Sequence, residues 1–332
     1  MKRRKKPFII LAVILVVVLL VAGYIKFFNG RLIYFTTGMK SGELIKTAGQ
    51  KTTYTCEADI LMSDVKKEYE EMFGSNIWRE KIGDADFESY IKDQIKSKLM
   101  RVKAMNVKAK ERGVVLGREE KDSVGKAVDA FYNELTESQI SSTGITKDKL
   151  NTMFTEFAIA QKLYDDLTSS MDIEVSADEA RVIDIQYIVS DSEEDINKAY
   201  NLVNSGSSFF AVAKEYNADG EYEYELKRDE MDEAFEKAAF NLSTGEMSSI
   251  VEAAGRYYII RCTSDNDKAK TEVNKSAILE KRKLEQFNAD FEKYEAGIYM
   301  EFNNSEWKKL SIQDAYTFES SFEDTFNAYF GK

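Results

Sequence analysis

The sequence predicts an α+β protein: a helical lobe interrupted by a small α+β module, preceded by an N-terminal transmembrane helix. Three observations predict it. Residues 7–25 form an uncharged apolar run directly behind Lys2, Arg3, Arg4, Lys5 and Lys6. Apolar residues recur at helical spacing on both sides of residues 176–264. Within 176–264, Ile/Val-rich runs and glycines alternate with short helical patterns in the order β-α-α-α-β-β.

Residues 1–6 read as a cytoplasmic basic segment and 7–25 as the anchor. At 1.5 Å per residue the run spans roughly 28 Å, close to the hydrocarbon thickness of a bilayer. Basic residues ahead of it place the N-terminus in the cytoplasm and the rest outside. A cleaved signal peptide is the rival reading, but its apolar region is shorter and ends in small residues. This run ends in Tyr24, Ile25, Lys26, Phe27 and Phe28.

Residues 26–50 read as a juxtamembrane connector and 51–175 as the helical lobe. Thr, Tyr and Ile between Lys51 and Met62 suggest a strand. Phe87, Ile91, Ile95, Leu99, Val102 and Met105 form one apolar helical stripe ending near Gly113, a candidate C′ residue. Val124, Val128, Phe131 and Leu135 form a second. Leu150, Phe154, Phe157, Tyr164 and Leu167 form a third, with Thr146 as candidate N-cap.

In 176–264, Arg181–Ser190 has β character. Ser192 and Asp195 are spaced as a helix start, and Ser208–Asn217 and Met231–Asn241 read as further helices. Ser248–Ala253 and Tyr257–Thr263 flank Gly255 as a hairpin. Residues 265–332 form the C-terminal segment: a long helix from Lys268 to Ala296, then an aromatic, acidic tail. The economical arrangement packs this C-terminal part on the helical lobe.

Composition narrows the chemistry. The 332 residues contain no His, 1 Pro and 2 Cys, with a net charge of −12. Without His there is no Ser-His-Asp triad, no Cys-His dyad and no His-ligated metal. Cys56 and Cys262 are too few for a disulfide scaffold; they could pair outside the cell, but they fall in different lobes, which favours two buried free thiols. The acidity argues against a nucleic-acid partner. No metal or cofactor is called for.

The module carries a resemblance. Gln186-Tyr187-Ile188-Val189, Gly206 to Asp219, Met231 to Phe240, Leu242 to Ser248 and Tyr257 to Arg261 follow in order. Together they resemble a parvulin-type peptidyl-prolyl isomerase domain (a rotamase). Upstream, Trp78 to Glu120, with Ala109, Gly113, Val114, Leu116, Glu119 and Glu120, resembles the chaperone lobe of membrane-attached foldases of the PrsA and SurA type.

The resemblance implies site residues. Tyr187 and Tyr258 stand where the family usually has two His. Asp219 stands at the family's acidic or thiol position, and Met231 and Phe235 at those of the proline pocket. The family's Gly-Gly-x-Leu-Gly loop is absent; the acidic stretch Gly220–Leu226 replaces it, with Leu226 in the place of the pocket's leucine. Each residue also has a plain structural reading. Tyr187 and Tyr258 suit half-buried sheet positions, Met231 and Phe235 a helical i, i+4 core pair, and Asp219 beside Gly220 a turn. Glu221, Glu223, Glu225, Asp229 and Glu230 read as a solvated loop.

The function implied is an extracytoplasmic, membrane-anchored foldase that acts on unfolded exported polypeptides. Two alternatives share the fold: a catalytically inactive holdase and an envelope interaction module.

Overall fold

In the computed structural model, residues 38–218 and 220–331 are described. They divide into two units. One comprises the described residues up to Met171 together with those from Glu285; the other is Asp172–Leu284. No helix among the described residues is long and apolar enough to cross a membrane. The expected anchor, residues 7–25, lies outside them.

The first unit opens with β1 (Glu43–Thr47) and β2 (Thr53–Tyr54). Helix α1 (Thr55–Phe73) follows at once, which corrects the expectation of a strand through Met62. The Glu57 carboxylate accepts the Tyr54 backbone N–H at 2.9 Å. That contact starts a helix early enough to bury Cys56, Ala58, Ile60, Leu61 and Met62, so burial overrides the β preference of Thr and Tyr. A short hairpin, β3 (Lys81–Ile82) and β4 (Ala85–Asp86), leads to α2 (Phe87–Arg112). Asp86 caps α2 by accepting the Ser89 N–H at 2.7 Å, and Gly113 ends it at φ 71°. All six residues of the expected stripe are buried.

Helices α3 (Arg118–Asn133), α4 (Glu137–Thr143) and α5 (Lys147–Thr168) complete the first pass. Thr146 caps α5 as its sequence position implies. Between α2 and α5 lies a buried ion pair. The Lys103 ammonium, 1% exposed, donates to both Glu156 carboxylate oxygens at 2.6 and 2.5 Å and to the Lys51 carbonyl at 2.8 Å.

The second unit holds α6 (Ala177–Ala180), β5 (Ile183–Ser190), α7 (Glu193–Asn204), α8 (Phe209–Tyr216), β6 (Glu223–Leu226), α9 (Glu233–Phe240), β7 (Val251–Ala253) and β8 (Arg256–Ser264). The sheet is antiparallel in the order β6-β5-β8-β7. Strand β6 was not anticipated: its glutamates read as loop. In fact they alternate, so Tyr224 and Leu226 face inward while Glu223 and Glu225 take the opposite face, Glu225 paired with the Lys270 ammonium at 3.1 Å.

One sheet face packs Ile188 and Ile259 against Ile196, Phe209 and Val212 of α7 and α8. The other packs Ile183, Ile185, Leu226 and Ile260 against Phe235, Ala239 and Phe240 of α9. A sheet with both faces covered accounts for the long Ile/Val runs of β5 and β8.

Helix α10 (Lys268–Glu295) follows, and its residues from 285 belong to the first unit. There Phe287 packs edge-on to Tyr164 at 5.0 Å between ring centroids. Strand β9 (Met300–Phe302) then pairs antiparallel with β1, giving the sheet β2-β1-β9. Helices α11 (Asn304–Trp307) and α12 (Phe322–Phe330) close the described chain. Cys56 and Cys262 are buried free thiols.

Candidate active site

The α9 face of the module's sheet gathers most of the expected site. Pairing sets Tyr187 opposite Ile260 and Val189 opposite Tyr258. Strand alternation then turns Tyr187 and Tyr258 to the same face, as diagonal neighbours on adjacent strands. Both are half-buried. The Phe235 ring meets the Tyr258 ring edge-on at 5.0 Å. Leu226, opposite Ile183 on β6, belongs to the same apolar cluster.

Exposure separates these residues. Leu226 is 0% and Phe235 2% exposed, whereas Met231 is 41% exposed. Leu226 and Phe235 are therefore the floor of the face, and Met231 is a side chain at its rim. Met231 also precedes α9, which begins at Glu233 behind the N-cap Asp232. The helical i, i+4 pairing of Met231 with Phe235 is thus corrected. The Asp232 carboxylate accepts the Ala234 N–H at 2.9 Å, which starts the helix two residues later. Asp219 lies outside the described residues.

Four residues that sequence reading passed over position this face. The buried Asn217 side chain accepts the Val189 N–H at 2.9 Å and donates to the carbonyls of Tyr187 at 3.0 Å and Glu221 at 2.6 Å. It fixes the backbone of β5 on both sides of Ile188, directly after Tyr187. Glu236 accepts the N–H groups of Glu230 and Met231 at 2.8 and 2.9 Å, so α9 holds the Met231 turn from within. Arg256 donates to Asp191 at 2.6 Å and to the Tyr258 hydroxyl; the Asp191 contact leads in raising its pKa. Burial, reinforced by the Glu230 carboxylate, holds the Tyr224 phenol above its usual pKa. Only Asn217 left a trace in the sequence, as an amide ending an apolar helix ahead of Gly220.

The arrangement offers an apolar floor, two phenol hydroxyls and one guanidinium. Among the described residues it has no paired nucleophile and base. Among the described residues no group of His, Cys, Asp and Glu is placed to hold a metal ion. Such a surface suits noncovalent work on a bound peptide.

Comparison with known proteins agrees. Residues 189–264 match the rotamase family described as the PPIC-type PPIASE domain. The module is thus a parvulin-type domain by sequence. The chain as a whole resembles the PrsA foldases. It is 24% identical over 244 residues to "Foldase protein PrsA" of Caldanaerobacter subterraneus, covering 67% of this chain and 73% of that one. It is 38% identical over 89 residues to the Bacillus subtilis protein of that name, covering 24% of this chain and 30% of that one. Among solved structures, PrsA from Bacillus cereus aligns over 87% of this chain and 99% of its own, with a TM-score of 0.37 and 18% identity.

Proposed function

We propose that this protein is a foldase for exported polypeptides. Its helical unit holds unfolded chains, and its parvulin-type domain receives their proline-containing segments on the Phe235–Tyr258 face. The match of residues 189–264 to the rotamase family carries the reading. Proline isomerisation crosses a barrier of about 18–20 kcal/mol set by the amide's partial double bond. No covalent bond breaks. Catalysis needs a slot for the ring and groups that favour the twisted amide over the planar one. Met231 and the Tyr258 ring would bound that slot, over the floor of Phe235 and Leu226. The hydroxyls of Tyr187 and Tyr258 are the available donors and acceptors.

Residues 7–25 would anchor the protein in the cell membrane, with the described residues on the extracytoplasmic side. The uncharged run behind a basic cluster supports this. Alkaline extraction of membranes tests it: release of the full chain into the supernatant defeats the anchor.

A holdase without catalysis is the second reading. It is favoured by tyrosines at both positions where the resemblance expects histidine. An isomerisation assay on a proline peptide, run with the full chain and with Tyr258→Phe, separates the two. A rate above the uncatalysed one that falls severalfold in the variant supports catalysis. An uncatalysed rate together with suppressed client aggregation supports the holdase. Failure of both overturns the foldase reading.

A further inference from the structure

The C-terminal helix α12 is amphipathic in an unusual way. Phe322, Phe326 and Phe330 recur every four residues and form one aromatic stripe. The stripe meets aromatic rings of α5, while the helix packs along α3 and against α1. Phe322 meets Phe154 at 4.6 Å and Phe157 at 4.9 Å between ring centroids, and Phe326 meets the same two rings at 6.5 and 6.3 Å. The Gln161 amide donates to the Phe330 carbonyl at 3.1 Å. Polar tethers hold the other end: the Asp64 carboxylate accepts the N–H groups of Phe322 and Glu323 at 3.1 and 3.0 Å.

The seat is shallow. Of the three stripe residues only Phe322 is buried; Phe326 and Phe330 are half-buried. Nine residues are too few for a helix stable by itself. Burial first, and the nearby Glu323 second, hold the Glu68 carboxyl above its usual pKa, with Lys98 opposing. The chain just before α12 is anchored far better. Phe318 is 2% exposed, and its N–H donates to Ser63 at 2.8 Å. A displaceable helix thus hangs from a fixed point at Phe318, with Glu319–Ser321 as the hinge.

We propose that α12 is a built-in occupant of a client-binding groove on α5. The groove takes a short aromatic-rich segment of an unfolded polypeptide, and α12 must lift for a client to enter. The inference rests on the foldase reading and adds to it the place and the preferred chemistry of the bound segment. Lifting α12 bares the rings of Phe154 and Phe157, the kind of apolar patch that marks an interaction site.

The test uses the full chain and a Phe326→Asp/Phe330→Asp variant, with reduced, carboxymethylated α-lactalbumin as the unfolded probe. Removing the internal competitor should tighten probe binding on the order of tenfold. A synthetic peptide of residues 318–331 should reverse that gain. Equal or weaker binding by a variant that melts like the parent overturns the groove while leaving the foldase reading intact. Absence of binding by both forms, with no isomerisation, overturns both. Hydrogen exchange on the unmodified chain is a second check that requires no variant to fold. Amides of Thr325–Phe330 should exchange at least tenfold faster than those of Phe154–Gln161; equal protection overturns the proposal.

Discussion

The buried acids of the helical unit give the clearest consequence at the residue scale. Glu57 is 2% exposed, and burial, opposed by Lys103 and reinforced by Glu156, lifts its pKa from 4.5 to about 8. The folded state therefore holds a proton that the unfolded chain has released between those two values. This stabilisation is complete below about 4.5 and is lost as pH rises through about 8. Thermal melting should occur at a lower temperature at pH 8 than at pH 6. Glu57→Gln should flatten that slope, because the amide keeps an acceptor for the Tyr54 N–H and has no proton to lose. Lys103→Met should do more damage, since it strands the Glu156 carboxylate without its ammonium; about 3–5 kcal/mol is the usual cost of breaking a buried pair. Asn217→Ala removes three hydrogen bonds around Tyr187 and should cost about 1–3 kcal/mol. Chemical denaturation followed by a probe in the module measures it. None of these partnerships was legible in the sequence. The charged residues of a helix look alike until packing decides which of them turn inward.

At the scale of elements, most of the architecture was legible where apolar period and caps agree. The α2 stripe, its Gly113 stop and the Thr146 cap all follow from local chemistry. Strand β6 did not, because Glu-Tyr-Glu-Leu at a sheet edge resembles a polar loop when read without its partner β5. The β7–β8 hairpin shows a further strain. Its turn places Ala254 at φ 49° and Gly255 at φ 76°, a left-handed pair that suits Asn-Gly or Gly-Gly. Ala254→Gly should therefore stabilise the hairpin by about 1 kcal/mol, read as a higher melting temperature of the module. This hairpin carries Arg256 and Tyr258, so the same change tests whether a slack turn alters any isomerase rate without touching the site.

At the scale of the whole molecule, the resemblance named residues that the fold brings to one sheet face, but it could not rank their burial. Tyr187, Tyr258, Leu226 and Phe235 share one face because register, set by long-range pairing, puts them there. Met231 lies at the rim because Asp232 starts α9 behind it. If the site catalyses isomerisation, its rate should be nearly flat from about pH 6 to 8, since the chain has no His, the side chain whose ordinary pKa lies in that range. A sharp inflection near 6.5 would contradict a site built on tyrosine. The pairing of β1 with β9 bears on how the protein is made. Ile45 meets Phe302 across that ladder, so the helical unit cannot close until the chain has been delivered through Phe302. The parvulin-type module, contiguous from Asp172 to Leu284, faces no such delay. During synthesis on a ribosome, it should become protease-resistant before the β1–β9 ladder of the helical unit can form.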